Sequence, residues 1–138
     1  MKPKSPDGTR GGTIRGYTIV VVGSHPELTG ALADLVAEEP GLVYAGTART
    51  GAELVSLVQR QRPDIVLVDL EATDVSAEWI VRETRPYAPD SRFVALSIHS
   101  DKVSVRRTLA AGFHRHVSKG SELGYLLSIL LEDHVLLA

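Results

Sequence analysis

The chain alternates between short apolar runs and longer stretches in which apolar residues recur at helical spacing. From Tyr17 onward the apolar runs are rich in β-branched and aliphatic residues, and turn residues bound them. They read "YTIVVV", "LVYAGT", "DIVLVDL", "RFVALSI" and "FHRHVS". Runs of this kind predict strands, and the amphipathic stretches between them predict helices. The pattern therefore predicts five strand–helix units in succession, of which the last helix lies in "SELGYLLSILLEDH".

The predicted strands are continuously apolar rather than alternating, which indicates burial on both faces. With a helix after every strand, this favours a parallel sheet between two layers of helices. Right-handed crossovers then predict an α/β, flavodoxin-like, doubly wound five-stranded sheet with strand order 2-1-3-4-5. Pro26 suits the first turn of a helix. Thr50 and Glu53 have the spacing of a capping box at the start of another.

Composition limits the classes of protein that the chain can represent. Its 138 residues suit one domain, which we place at residues 17–138. Residues 1–16 carry proline, glycine and charge without periodicity, so we predict a disordered leader or a cloning remnant there. The absence of cysteine excludes disulfides and thiolate chemistry. A net charge of −2, no long apolar run and no basic–aromatic cluster predict a cytoplasmic protein that binds neither membrane nor nucleic acid directly.

Polar residues follow several of the predicted strands, at the edge where ligand sites form in such sheets. Gly23 and Ser24 follow the first strand, Asp69 ends the third, Ser97 the fourth, and Lys119 follows the fifth. A carboxylate, a hydroxyl and an ammonium in one crevice suit acceptance of a phosphoryl group. The carboxylate is the nucleophile, the hydroxyl donates a hydrogen bond to a phosphoryl oxygen, and the ammonium neutralises charge.

The segments "DIVLVDL", "FVALSIHSD" and "AAGFHRHVSKGS", with their spacing, resemble the receiver domains of bacterial two-component response regulators, in the style of receivers that precede a helix-turn-helix output domain. The resemblance covers the chain from about Tyr17 to the C-terminus. It implies that Asp69 is the phospho-acceptor, Ser97 the switch hydroxyl and Lys119 the lysine that contacts the acyl phosphate. It places His116 at the position of the switch aromatic. It also implies a histidine kinase as a possible partner.

The sequence departs from this family after its first strand. Family receivers carry an acidic pair there that helps to hold Mg²⁺, and the matching positions are Gly23 and Ser24. Mg²⁺ binds through carboxylate oxygens, and without it the charge developing on the phosphoryl group lacks its main stabiliser. We therefore expect no cofactor, weak or absent Mg²⁺ binding, and slow or absent phosphorylation of Asp69. Standing alone beside Lys119, Asp69 is expected to be ionised and to form an ion pair that holds one conformation without phosphate.

Three further acids lie near this edge in the sequence: Glu27, Glu71 and Asp74. By the resemblance, Glu71 is expected to offer its backbone carbonyl to a metal. Any of the three could replace the missing pair by its side chain, although their spacing does not require it.

The histidines raise the alternative of a metal site. His114 and His116 lie two apart in a predicted strand and so share a face, and neutral imidazoles can bind zinc. No cysteine, and no acid at ligand spacing, joins them. Surface or partner contacts are therefore the preferred interpretation, with some pH sensitivity because histidine titrates near neutrality. We interpret His25 as a loop residue.

The last predicted helix has a surplus of apolar residues. A core stripe is predicted at Leu123, Leu126, Leu127 and Leu130. Tyr125, Ile129 and Leu131 then leave few positions for a polar face, and "HVLLA" follows. Such a surplus indicates a partner surface. The resemblance implies dimers through the fourth and fifth helices with the strand between them, or through the first and fifth helices, and we predict a homodimer through the face of the last two helices. The alternative is contact with a missing linker or output domain.

These inferences predict an atypical receiver domain: a signalling interaction module, not an enzyme, that acts without normal Mg²⁺-dependent aspartyl phosphorylation and regulates transcription through a linked output domain. One alternative is a competent receiver that a histidine kinase phosphorylates on Asp69. Another is a flavodoxin-like enzyme or small-ligand binder, although "GSHPE" lacks a phosphate-binding glycine loop. A corrinoid-binding domain is disfavoured, because "GSHPELTG" lacks the aspartate two before the histidine and the glycine three after it.

Overall fold

The computed structural model describes the backbone of residues 16–137 and the side chains of residues 16–131. Residues 1–15 of the predicted leader lie outside the described residues. The strands are β1 (Tyr17–Val22), β2 (Leu42–Ala48), β3 (Ile65–Asp69), β4 (Arg92–Ser97) and β5 (Arg115–Ser118). The helices are α1 (Pro26–Ala37), α2 (Gly51–Gln61), α3 (Ala77–Thr84), α4 (Lys102–Ala110) and α5 (Leu123–Leu137). A single 3-10 turn, Leu70–Ala72, follows β3.

The five strands form one parallel sheet in the order β2-β1-β3-β4-β5, which confirms the predicted flavodoxin-like fold. The strand order reverses at β1 and β3, which pair in register from Ile19 with Ile65 to Val22 with Val68. The carboxyl ends of these two strands therefore lie side by side. In folds of this kind that position is where ligands bind.

The core lies in two layers, one on each face of the sheet. Because side chains alternate along a strand, Val20 and Val22 of β1 pack with α2 and α3, whereas Ile19 and Val21 pack with α1 and α5. All four are fully buried. The prediction of burial on both faces is thus confirmed for β1. It is wrong for β2, where Tyr44 and its neighbour are exposed because the strand forms an edge of the sheet.

The start of α2 follows the predicted capping chemistry with one change. Thr50 Oγ1 accepts a hydrogen bond from the Glu53 backbone N–H at 3.1 Å, as expected. The Glu53 carboxylate, however, accepts from the Arg49 N–H at 2.7 Å and not from that of Thr50. The C-cap of the same helix is Arg62, a non-glycine residue in the left-handed region with φ 44°.

α5 is rotated relative to the prediction. Of its side chains up to residue 131, those of Leu126, Ile129 and Leu130 are buried, whereas Leu123 is 58% exposed and Tyr125 is 54% exposed. The prediction is therefore wrong for Leu123, which lies outside the core, and for Ile129, which lies inside it. The side chains of "HVLLA" lie outside the described residues. Of the helices in the described residues, none is long and apolar enough to span a bilayer.

Candidate functional site

The carboxyl ends of β1, β3, β4 and β5 lie at one edge of the sheet, and the site there is called the strand-end crevice. Its residues are Gly23, Ser24, Asp69, Glu71, Ser97 and Lys119. The parallel register places these ends at one edge of the sheet, with Asp69 paired to Leu96 and Ser97 paired to Ser118. Residues that are far apart in the sequence therefore become neighbours.

Asp69 and Lys119 form the predicted ion pair. The Asp69 side chain is fully buried, and its Oδ1 lies 2.6 Å from Lys119 Nζ. Oδ1 also accepts a hydrogen bond from the Glu71 N–H at 3.2 Å, which caps the 3-10 turn. The Lys119 backbone N–H donates to the Ser97 carbonyl at 3.0 Å. These bonds hold the lysine against the end of β4 and beside the carboxylate that ends β3.

The Glu71 carboxylate is the part of the crevice that sequence reasoning missed. Its Oε2 accepts a hydrogen bond from Ser97 Oγ at 2.6 Å. Its Oε1 accepts from the Ile98 N–H at 3.0 Å and lies 3.0 Å from Lys119 Nζ. The sequence interpretation gave Glu71 a backbone carbonyl role or, at most, a substitute metal ligand. Its position two residues after Asp69, across a tight turn, is the only sequence signal that its carboxylate could return to the crevice.

The Glu71 carboxylate and the Lys119 ammonium, which belong to the hydrogen-bonded network of the crevice, are each stabilised in the charged form. Burial opposes ionisation of Glu71, but the hydrogen bonds from Ser97 and Ile98 and the interaction with Lys119 outweigh it, so the pKa of Glu71 lies below its usual value. Burial also opposes the charge of Lys119, yet the two carboxylates outweigh it and raise the pKa of that ammonium. At neutral pH the network therefore joins a lysine cation with carboxylate acceptors.

Gly23, one of the two positions that the resemblance matches to the family's acidic pair, lies beside Asp69. A Cβ built at Gly23 would lie 3.2 Å from Asp69 Cβ and 3.0 Å from Thr29 Cγ2, so any side chain here would press on the side chains of Asp69 and Thr29. Ser24 is exposed, and its backbone N–H donates to the Ala72 carbonyl at 2.9 Å. Asp69 Oδ2, although buried, has no hydrogen-bond partner.

This donor set does not fit a Mg²⁺ ion held by a group of carboxylates. Asp74 Oδ1 accepts from the Gly51 N–H at 2.8 Å and so serves the start of α2. The Glu71 carboxylate is engaged by three donors, and Glu27 lies exposed on the first turn of α1. Within residues 16–131, no three histidine, cysteine or acidic side chains come together closely enough to hold a metal ion. Asp69 Oδ2 is the one carboxylate oxygen of the crevice without a hydrogen-bond partner, and Mg²⁺ in proteins binds through one or two carboxylates together with water or phosphate.

The two histidines around β5 have internal roles. His116 Nε2 lies 2.8 Å from the His99 carbonyl, and its Nδ1 lies 3.1 Å from Thr108 Oγ1 on α4. His114 Nδ1 accepts from the Phe93 N–H at 3.0 Å, and the two rings stack. Both rings are partly buried and are bonded within the domain, and the predicted surface or partner contacts stay a prediction. His25 is an exposed loop residue at the start of α1, as predicted.

The sheet order, together with a carboxylate, a hydroxyl and a lysine at the ends of β3, β4 and β5, defines a receiver-type domain. Residues 19–131 match the family model for the response regulator receiver domain, and the chain belongs to this family.

Relatives and solved structures agree with this assignment. The chain is 28% identical over 115 residues to the transcriptional regulatory protein DegU of Brevibacillus brevis, an alignment that covers 83% of this chain and 45% of the relative. A LuxR-family two-component response regulator from Aurantimonas sp. SI85-9A1 has the same fold, with a TM-score of 0.78 at 22% identity over 86% of this chain and 84% of that one. The receiver domain of a NarL response regulator from Mycobacterium tuberculosis gives a TM-score of 0.78 at 20% identity, covering 86% and 96%. The chain spans about half the length of the curated relatives it matches.

Proposed function

We propose that this receiver domain is a signalling interaction module, not an enzyme, and that it acts without ordinary Mg²⁺-dependent phosphorylation of Asp69. The observation that carries the proposal is the place of Asp69. It is a buried carboxylate paired with Lys119, with Gly23 and Ser24 where the family has acids.

Phosphoryl transfer to a carboxylate depends on neutralising the charge of the incoming group. Among residues 16–131, the cation paired with Asp69 is Lys119, and that cation is shared with the Glu71 carboxylate. Two carboxylates and one ammonium already leave the crevice with a formal excess of negative charge. Without acids at positions 23 and 24 to recruit a divalent cation, we propose that Mg²⁺ binds weakly and that phosphoryl transfer is slow or absent.

Incubation with a small phosphodonor and Mg²⁺, followed by intact-mass measurement, tests the proposal directly. The wild-type protein is expected to gain no phosphoryl group on the timescale of an ordinary receiver, which serves as a parallel sample. Asp69→Asn identifies any addition at another residue. Rapid addition that Asp69→Asn abolishes would overturn the proposal.

Restoring the acids tests the physical reason. Ser24→Asp changes an exposed residue, whereas Gly23→Asp needs space beside Thr29 Cγ2. Thr29→Ser removes that methyl group and keeps the hydroxyl that donates to the His25 carbonyl at 3.1 Å. The triple variant is expected to bind Mg²⁺ more tightly than wild type in a calorimetric titration, with Thr29→Ser alone as the matched control. Equal affinities would show that the missing acids are not the limiting factor.

A competent phospho-acceptor remains the second candidate because of one observation. Asp69 Oδ2 is buried and has no hydrogen-bond partner, so one oxygen of the acceptor is not engaged by protein donors. In that case a histidine kinase would be the phosphodonor and Asp69 the acceptor. The intact-mass experiment separates the two candidates.

We also propose that the domain regulates transcription through a linked output domain and pairs with a second copy through the face formed by α4 and α5. DegU, which this chain partly covers, is by name a transcriptional regulatory protein. Val103 and Leu109 on α4 and Tyr125 on α5 are exposed apolar residues that such a face would bury. Light scattering over a concentration series is expected to show a dimer that Val103→Ser with Tyr125→Ser weakens. A monomer at the highest concentration would contradict the dimer.

A further inference from the structure

Three hydrogen-bond donors converge on the Glu71 carboxylate, and none of them belongs to its own turn. Ser97 Oγ comes from the end of β4, the Ile98 N–H from the loop after it, and Lys119 Nζ from the loop after β5. A hydroxyl, a backbone N–H and an ammonium aimed at one point form an anion-binding set. The hydroxyl and the ammonium are also the two groups expected to receive a phosphoryl group on Asp69.

The Glu71 carboxylate and a phosphoryl group on Asp69 would need the same hydrogen-bond donors. Lys119 Nζ lies between Asp69 Oδ1, at 2.6 Å, and Glu71 Oε1, at 3.0 Å. Ser97 Oγ has one proton, and it is donated to Glu71 Oε2. A phosphoryl group on Asp69 would need the same proton and the same ammonium. Glu71 therefore competes with it for these donors.

We propose that the Glu71 carboxylate is a built-in substitute for the phosphoryl group, occupying its donors and keeping the crevice in an anion-bound arrangement. This inference rests on the proposed function, because a permanently supplied anion is useful in a receiver that is not phosphorylated. It assigns Glu71 as a positioning residue that acts through Ser97, Ile98 and Lys119.

The anion-bound arrangement is connected to α4 by a continuous series of hydrogen bonds. Besides donating to Glu71, Ser97 Oγ accepts from the His99 N–H at 2.9 Å. The His99 carbonyl lies 2.8 Å from His116 Nε2, and His116 Nδ1 lies 3.1 Å from Thr108 Oγ1 on α4. The first two residues of the loop between β4 and α4 are thus held, Ile98 by Glu71 and His99 by His116. Removal of the Glu71 carboxylate is expected to alter this loop and its contact with α4.

Backbone amide NMR on wild type, Glu71→Ala and Glu71→Gln tests the inference. Both variants are expected to shift the amide signals of Ile98 and His99, because Glu71→Ala removes the acceptors of Ser97 Oγ and of the Ile98 N–H, and Glu71→Gln leaves a single acceptor oxygen for these two donors. A smaller shift is expected at Thr108. Glu78→Ala, which removes an exposed acid from the first turn of α3, is the matched control and is expected to leave these signals in place.

Inorganic phosphate then probes the vacated donors. In Glu71→Ala, phosphate is expected to bind about tenfold to a hundredfold more tightly than in wild type, because it gains a few charge-assisted hydrogen bonds from the vacated donors. Bound phosphate is also expected to move the Ile98 and His99 amide signals back toward their wild-type positions. Lys119→Ala in the Glu71→Ala background is expected to remove this binding. Equal phosphate affinity in wild type and Glu71→Ala would overturn the inference, as would unchanged Ile98 and His99 signals in both variants. If Glu71→Ala does not fold, the near-isosteric Glu71→Gln decides through the amide shifts.

The phosphorylation assay on Glu71→Ala separates this inference from the proposed function. If the missing acids at positions 23 and 24 are limiting, the variant stays unphosphorylated while its amide signals shift, and both conclusions stand. If the variant becomes phosphorylated where wild type does not, Glu71 is the barrier and the explanation through Gly23 and Ser24 is wrong. If wild type resists phosphorylation but the amide signals do not move, the role of Glu71 is wrong and the proposed function survives.

Discussion

Replacement of Lys119 by alanine should destabilise the domain strongly, because it leaves a buried charge without its partner. Asp69 is fully buried, and Lys119 Nζ is the cation beside it at 2.6 Å. After the substitution, Asp69 Oδ1 would retain the Glu71 N–H at 3.2 Å, while Oδ2 has no partner to begin with. The Glu71 carboxylate would lose the same cation.

The size of the effect follows from the burial of the two partners. Removing one member of a fully buried ion pair costs about 3–5 kcal/mol of unfolding free energy. The Lys119 side chain is 21% exposed, so water can enter part of the vacated space, and we expect about 2–4 kcal/mol. Adding Asp69→Asn to this background removes the unpaired charge and is expected to recover at least about 1 kcal/mol, so that the two substitutions are not additive.

Urea unfolding followed by circular dichroism at neutral pH measures these differences. Lys102→Ala, at an exposed lysine on α4, is the control and should change the unfolding free energy by no more than about 0.5 kcal/mol. A loss below about 1 kcal/mol for Lys119→Ala, or additive effects with Asp69→Asn, would refute the argument that the lysine neutralises a buried carboxylate.

Two further predictions concern pH and the end of α4. The pKa of Glu71 is lowered from 4.5, so its contribution to stability is present above pH 4.5 and is lost as the pH falls through the folded-state pKa. The pKa of Lys119 is raised from 10.5, so its contribution to stability is present below pH 10.5 and is lost as the pH rises through the folded-state pKa. Chemical unfolding across pH should therefore show Glu71→Gln to be less sensitive than wild type to acid, and equal acid profiles would contradict the role of the carboxylate. Gly112→Ala should destabilise by about 1–3 kcal/mol, because Gly112 has φ 112° and its added Cβ would lie 2.9 Å from Val81 Cγ1. Gly124→Ala, where a Cβ meets no atom within 4 Å in α5, should instead be neutral or stabilising, and equal effects of the two alanines in thermal unfolding would disprove the backbone argument.

Much of the candidate site was predictable because strand ends can be recognised locally. The apolar runs of β1 and β3 differ at their ends, where one leads to Gly23 and Ser24 and the other to Asp69. The parallel order that follows from strand–helix alternation places both ends at one edge. The Asp69–Lys119 ion pair was predictable from this placement, since opposite charges at one edge of a sheet attract each other across a short distance.

Other features depend on how side chains are oriented after the elements pack. The rotation of α5 buries Ile129 and exposes Leu123, and an almost wholly apolar helix has too little polar contrast to indicate which side faces the sheet. The histidines are similar cases, because His116 turns toward α4 and His114 toward β4, contacts that strand periodicity does not encode.

The sequence by itself determined the order of strands and helices, the sheet topology and the residues at each strand end, because hydrophobic periodicity and turn chemistry are local properties. Only the tertiary structure decided that the Glu71 carboxylate belongs to the strand-end crevice. Glu71 and Ser97 are 26 residues apart, and Glu71 and Lys119 are still further apart in sequence, yet one carboxylate accepts from both. Their contact depends on the register of three strands and on a tight turn that directs one side chain back over the sheet edge. Such a contact exists only when the whole sheet is assembled.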